Sequence, residues 1–380
     1  MRILYISNST AVSGAPSALL NMVRELSGRH RIAVVLPEPA GPLHDALVAM
    51  GVKCYCDVPY RLTIWPRVIN PMKFVRRISF LRAGLDRART YVGKVIDEFK
   101  PDIVHTNVGP LDLAYRQCRL RRIPHVWHLR EFQQGMCFWP TRDRFIRRIH
   151  SYGNRNIAIT RCVADYWKLR DCDTIIYDGV KVDEDAHVEK SRNLSGFLFV
   201  GRVEKNKGLL ELLKAYHLYR SNGGSEKLDV VGRLSLFYGL RCKAYIWRKS
   251  LGKSVNFMGY RSDVPELMRK AVALVVPSLT EGFGLAAAEA MKEGCLVIGN
   301  DTTGMKEQFD NGVRYTGEEI GFRYRGVREL AMLLEKVSVD PSRYDDVRER
   351  ALKTVAGLYD MSQKAAELED YYEKILEDYR

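Results

Sequence analysis

The chain has 380 residues, 46% hydrophobic and 28% charged, with a formal net charge of +14; this mixture excludes a disordered or collagen-like chain and supplies two ordinary cores. Its eight cysteines never fall at a Cys-x-x-Cys spacing, so reduced thiols in a cytosolic protein are expected rather than a disulfide scaffold or zinc motif. The start, MRILYISNST, turns polar by Ser7, too soon for a signal peptide, and no run of about 20 apolar residues offers a membrane span.

In chain order, RILYIS, RIAVVLP, DIVHTN, IPHVWHL and NIAIT are short β-branched or aromatic runs that read as buried strands. Helical stretches separate them, such as PSALLNMVREL with Pro16 in its first turn. The second half repeats the grammar with GFLFVG, KLDVVG, SVNFMG, ALVVPS and CLVIGN, separated by segments such as KGLLELLKAYHLYR. Strands alternating with helices predict parallel sheets covered on both faces. The turn-rich tract around IIYDGV joins the two series, which places domains at 1–178 and 179–360. The acidic C-terminal segment, 361–380, reads as a helix that either packs back on the first domain or lies free on the surface.

The charge is uneven. Residues 1–170 hold 28 Lys+Arg and 12 Asp+Glu, net +16, whereas residues 171–380 hold 32 and 34, net −2. An anionic partner for the first half is implied: nucleic acid, a membrane surface or a phosphorylated substrate. From Pro71 to Lys100 apolar residues step by threes and fours among Lys73, Arg76, Arg77, Arg82, Arg87, Arg89 and Lys94, with TIWP just before. Such a stretch either lies in an anionic bilayer interface or packs on its own sheet with a solvated basic face. No stacking series of aromatics or common recognition motif supports specific nucleic-acid binding.

In open α/β sheets ligands bind at the carboxyl ends of the strands. After FLFV comes GRVEKNKG, with Arg202 and Lys207 beside a predicted helix start, an arrangement suited to an anion. After ALVVPSL comes TEGFGLAAAEAMKEG. Here Glu281 sits in the loop, glycines flank Phe283, the helix begins near Leu285, and Glu289 falls about one turn inside it, where a carboxylate can accept from a diol. Taken singly, Glu281 could merely complement the helix dipole and Glu289 could pair with Lys292 on the surface. His128 in VWHLREF, and His105 and Asn107 in VHTNVGP, end predicted strands. Asp171 and Asp173 in DCD follow no hydrophobic strand and are read as a decoy for a metal-binding pair.

GRVEKNKG followed by EGFGLAAAEAM resembles the retaining family-4 glycosyltransferases of GT-B fold, whose signature is two glutamates with seven residues between them and an upstream Arg and Lys. ISNSTAVSGAPSALLNMV, IAIT, IIYDGV and NDTTGMKEQFDNG extend the likeness over most of the chain; Asp178 stands where the family commonly has Asn, in a turn role. The resemblance implies two Rossmann-like, doubly wound parallel-sheet domains facing across a cleft. It implies that Arg202 and Lys207 hold the pyrophosphate of a nucleotide sugar, with Gly14 facing it from the other domain. Glu289 would take the ribose hydroxyls, Glu281 the donor sugar, and the backbone of Phe283, Gly284 and Leu285 would complete the cradle. The base would lie against GYRSD, and His128 would contact the donor sugar. No cofactor or essential metal is implied, and the leaving phosphate would take the acceptor's proton on the front face. The expected acceptor is a glycan or lipid-linked glycan at the cytosolic leaflet, in cell-surface polysaccharide assembly, with the enzyme cytoplasmic or peripheral on the membrane. The rival readings are a nucleotide-sugar epimerase of the same fold, a catalytically dead scaffold, and a basic nucleic-acid-binding protein.

Overall fold

A computed structural model describes residues 1–12, 14–60, 71–109, 111–132, 141–151, 153–183, 185–189 and 193–379. The tract TIWP and the side chains of Lys73, Arg76 and Arg77 lie outside what is described. The chain divides into two compact units, Met1–Gly179 with Met361–Arg380, and Val180–Asp360.

The first unit is a parallel sheet of β1 (Arg2–Ile6), β2 (Arg31–Val35), β3 (Lys53–Tyr55), β4 (Ile103–Thr106), β5 (His125–Leu129), β6 (Asn154–Ala158) and β7 (Thr174–Ile175). The strand order is β3-β2-β1-β4-β5-β6-β7. Alternation along each strand explains why helices cover both faces. Ile3 and Tyr5 of β1, with Ile32 and Val34 of β2, enter one core with helix α1 (Ala15–Leu26). Their neighbours Leu4, Ile6, Ala33 and Val35 enter the opposite core with helix α2 (Pro71–Phe99). From Ala88 to Phe99 the apolar stripe of α2 is buried in that core, so this part of the basic stretch is a helix packed on its own sheet.

The second unit is a parallel sheet of β8 (Phe197–Val200), β9 (Leu228–Val231), β10 (Val255–Gly259), β11 (Ala273–Val276), β12 (Val297–Asn300) and β13 (Phe322–Tyr324), in the order β10-β9-β8-β11-β12-β13. Phe197, Phe199, Leu228, Val230, Ala273 and Val275 share one core with helix α3 (Leu209–Ser221). Helix α4 (Leu236–Arg248) packs on the same core through Cys242 and Ile246. On the other face, helix α5 (Leu285–Lys292) buries Ala287, Ala288, Ala290 and Met291, and helix α6 (Thr303–Thr316) follows β12.

The terminal helix α7 (Met361–Tyr379) belongs to the first unit: Met361, Ala365, Leu368, Tyr372 and Ile375 enter the core shared by β1, β2 and α1. Glu369 of this helix bonds His30 at 2.6 Å and Arg29 at 2.7 Å. Three strands are absent from the sequence-based expectation: β3, β7 and β13. All are edge strands of three residues or fewer, too short to show a periodicity. The tract read as a linker therefore contains β7, and Asp178 has a partner beyond a turn: it forms a part-buried ion pair with Arg130.

Candidate active site

Each sheet reverses its winding between two central strands, β1 and β4 in the first unit, β8 and β11 in the second. At such a switch point the loops leaving the two strands diverge and open a crevice. Gly14, Arg202, Lys207, Glu281, Phe283 and Gly284 sit on these loops, Leu285 and Glu289 in the helix that follows the last of them, and His128 in the neighbouring strand β5.

In the second unit the two loops are tied together. Gly208 holds φ +71°, and a Cβ there would lie 1.8 Å from the Pro277 carbonyl oxygen, so only glycine permits this approach. Leu279 N–H donates to the Asn206 carbonyl at 2.8 Å. Across this junction the Lys207 ammonium meets Glu281 Oε1 at 2.6 Å, and Ser278 Oγ donates to the same oxygen at 2.6 Å. Lys207 closes a short 3-10 turn, Lys205–Lys207, one residue ahead of α3 rather than starting the helix itself. Arg202 is not brought to this cluster: its guanidinium is exposed and pairs with Glu204 at 3.2 Å.

The GFG segment turns the chain from Glu281 into α5. Gly284 takes φ +97° as the residue before the helix. Phe283 is buried edge-on against Tyr359, ring centroids 5.0 Å apart. Leu285 and Ala286 are the first two residues of the helix, where no intrahelical carbonyl is available to their amides, so these and the dipole favour an anion. Glu289 lies one turn further, half-buried, and no donor among the described residues reaches its carboxylate. Burial pushes its carboxyl up to about 7, against weaker attraction from Lys292. The surface pair with Lys292 does not form, because Lys292 bonds Glu293 at 2.9 Å instead.

Residues not singled out from the sequence hold this loop. Gln308 Nε2 donates to the carbonyls of Phe283, at 2.7 Å, and Gly284, at 3.2 Å. Glu281 N–H donates to Thr303 Oγ1 at 2.9 Å, with Thr303 at φ 45°, a left-handed conformation that is rare for a β-branched residue. A Cβ on Gly304 would lie 2.4 Å from the Gly282 carbonyl oxygen. Two threonines and a glycine after a strand were the available signal.

In the first unit, Gly14 takes φ +61° just before α1, with open space where a Cβ would point. Asn107 Nδ2 donates to the Ala15 carbonyl at 2.8 Å, and Arg130 Nε donates to the Asn107 carbonyl at 3.2 Å. The loops after β1, β4 and β5 are thereby joined. Buried His128 lies in β5, its Nδ1 3.2 Å from both Arg130 Nη2 and His105 Nε2. Burial, reinforced by Arg130, holds both imidazoles well below the usual histidine range, so both are neutral.

The hydrogen-bond directions then follow. Arg130 can only donate, so His128 Nδ1 is the acceptor and the proton sits on Nε2. His105 Nε2 must likewise donate to Nδ1, leaving His105 Nδ1 to accept from the Tyr372 hydroxyl at 2.6 Å. Tyr5 OH completes the chain, 3.2 Å from Tyr372 OH. At its other end His128 Nε2–H is buried and has no partner among the described residues. An orphaned buried donor is rare enough to call for an explanation. Asp173, by contrast, is bound to Arg170 and Asn156, and no group of three metal-ligating side chains occurs among the described residues.

Residues 12–184 match the model of Glycosyltransferase Family 4, and residues 183–354 that of Glycosyl transferases group 1. The chain is 25% identical over 345 residues to the UDP-Gal:alpha-D-GlcNAc-diphosphoundecaprenol alpha-1,3-galactosyltransferase of Escherichia coli, covering 82% of this chain and 83% of that one. It is 26% identical over 203 residues to the capsular polysaccharide biosynthesis glycosyltransferase CapM of Staphylococcus aureus, covering 53% of this chain and 51% of that one. In fold it is similar to Anabaena Alr3699/HepE, solved with UDP and glucose, with a TM-score of 0.77, 19% identity, and 98% and 100% of the two chains covered. It is also similar to the sucrose-phosphate synthase of Thermosynechococcus elongatus, with a TM-score of 0.74, 17% identity, and both chains fully covered.

Proposed function

Because the chain belongs to the group 1, family-4 glycosyltransferases and has their two-domain GT-B fold, we propose that it moves a hexose-type sugar, with retention, from a nucleoside-diphosphate sugar to an acceptor hydroxyl. The observation that carries this reading is the one at the second switch point: a Lys207–Glu281 pair, the open amides at the start of α5, and the unpartnered, half-buried Glu289 one turn on.

In this reading Lys207 and the helix amides receive the diphosphate as charge develops on the departing oxygen. Arg202, free to swing from an exposed pair, adds to them once phosphate is present. Glu289 accepts from the ribose hydroxyls, Glu281 orients the sugar, and His128 Nε2–H donates to a sugar oxygen. The leaving phosphate takes the proton of the attacking acceptor hydroxyl on the same face, so the anomeric C–O bond to phosphate breaks as the new C–O bond forms. No metal is needed in this scheme, and full turnover in EDTA is the expected result. The names of the relatives from E. coli and S. aureus support an acceptor on a lipid-linked or surface glycan. The +16 of residues 1–170 supports peripheral contact with an anionic leaflet, although no helix among the described residues is long and apolar enough to cross a membrane.

Thermal shifts with UDP, GDP, ADP and CDP test the reading, for the wild type and Glu289→Ala. One selective nucleotide should stabilise the wild type and lose its effect in the variant; no shift with any of the four would overturn the assigned site. Product formed from the donor alone, without acceptor, would instead establish the epimerase.

A further inference from the structure

Helix α4 presents an arrangement that the donor site does not use. Its inner face, Gly239, Cys242 and Ile246, is buried, with Tyr238 and Tyr245 packed on the core beside it. A surface helix ordinarily turns charged residues outward. Here the outward face carries Leu236, Phe237, Leu240 and Trp247, which are 71%, 85%, 57% and 82% exposed. Phe237, Leu240, Ala244 and Trp247 step by three, four and three, so they form one stripe along the helix. At 100° per residue, Arg241 and Arg248 border the stripe on one side and Lys243 on the other.

Along the chain this segment carries charge of one sign. From Val230 to Ser262 there are seven Arg and Lys and no Asp or Glu, within a half of the chain whose net charge is −2. Among the described residues Arg241, Lys243, Arg248, Lys249 and Lys253 form no ion pair. Where the helix ends, Arg220, Lys227, Lys249 and Lys253 line a pocket of about 420 Å³ with Ser225 and Ser250. This pocket lies at the amino ends of β9 and β10, the edge of the sheet opposite to the candidate donor loops.

We propose that the outer face of α4, with the adjoining basic pocket, docks on an anionic lipid bilayer. An exposed apolar stripe with a tryptophan, bordered by unpaired cations on both sides, matches the boundary between acyl chains and anionic headgroups. The pocket accepts a headgroup phosphate. Neither charge nor apolarity alone would single out this partner; the alternation of the two around a single helix does. The inference concerns a different surface from the basic first half and is independent of the donor chemistry.

The test is flotation of the whole protein with phosphatidylcholine vesicles, with and without phosphatidylglycerol. The variants are Phe237→Glu/Trp247→Glu, Lys249→Glu/Lys253→Glu and, in α2, Arg82→Glu/Arg87→Glu; nucleotide-induced thermal shift serves as the control for folding and for the donor site. Wild type should float only with phosphatidylglycerol, and each α4-side double variant should bind at least about tenfold more weakly while keeping its nucleotide shift. If the α4-side variants float like wild type and only the α2 variant fails, the proposal is overturned while membrane contact through the first half stands. If wild type does not float, both membrane contacts are overturned and glycosyl transfer is untouched. A lost nucleotide shift with flotation retained would refute the donor site alone.

Discussion

Glu289→Gln separates what the second unit needs for folding from what its site needs for binding. Burial holds the Glu289 carboxyl at about 7 in the folded protein, against 4.5 for an ordinary glutamate. The folded state therefore binds more protons than the unfolded chain between those two values, and stability falls as pH rises through that window. Each factor of ten in proton affinity is worth about 1.4 kcal/mol, which gives roughly 3 kcal/mol for a fully buried group. The side chain is only half-buried, and solvent screening brings this to about 2 kcal/mol at about pH 8. Glutamine keeps the shape without the charge. It should raise the melting temperature of this unit of about 180 residues by roughly 4–8 °C at pH 8 and leave it nearly unchanged at about pH 4.5. The same variant should bind the selective nucleotide at least about tenfold more weakly, because a carboxylate accepting from a diol is replaced by an amide. Melting curves at the two pH values and nucleotide titrations read both effects. A variant no more stable than wild type at pH 8, or one that binds the nucleotide equally well, would refute the reasoning.

Three further outcomes are expected. Gly208→Ala puts a Cβ against the Pro277 carbonyl and strains a residue at φ +71°, so urea unfolding should show more than about 3 kcal/mol lost; a loss under about 1 kcal/mol would contradict the close approach. Tyr372→Phe removes the hydroxyl that donates to His105 Nδ1, at a stability cost of about 1 kcal/mol. It should shift the imidazole ¹⁵N signals of His105, whose Nδ1 loses its donor, while those of His128, held by Arg130, change little; unaltered His105 signals would show that Tyr372 does not set that ring's tautomer. Lys207→Met removes the cation nearest the expected diphosphate and should lower kcat/KM by about two to three orders of magnitude, measured with saturating acceptor.

The parts of the fold legible in the sequence are those with a strong local signal. Each central strand is a run of β-branched residues long enough to show, because in a doubly wound sheet both faces of β1 and β2 are buried and the run is nearly unbroken. β3, β7 and β13 pair on one side only and carry two or three residues, so nothing local distinguished them. In the site, the spacing of Glu281 and Glu289 could be read because one helical turn converts it into geometry. Which glutamate had a partner could not: Lys292 is one residue from Glu293 and three from Glu289, and only the packing of α5 decides for Glu293. The holding residues were hidden for the same reason. Thr303 reaches Glu281 from 22 positions away and Gln308 reaches the GFG loop from 24 or 25, and the tautomer of His105 depends on a phenol from the other end of the chain. The outward face of α4 was equally invisible, since an apolar stripe in sequence does not say which way it points.

That phenol has a consequence for how the molecule is made. Tyr372 and Tyr5 touch at a sequence separation of 367 residues, and between them the ribosome must deliver the entire second unit. A nascent chain that has only reached Gly179 has its first sheet but not α7, so the apolar surface around Ile3, Leu19 and Ile176 that this helix covers stays open to water. The second unit, contiguous from Val180 to Asp360, can condense as it emerges. The half that appears first is thus completed last, and His105 acquires its donor, the Tyr372 hydroxyl, only when α7 closes on the core.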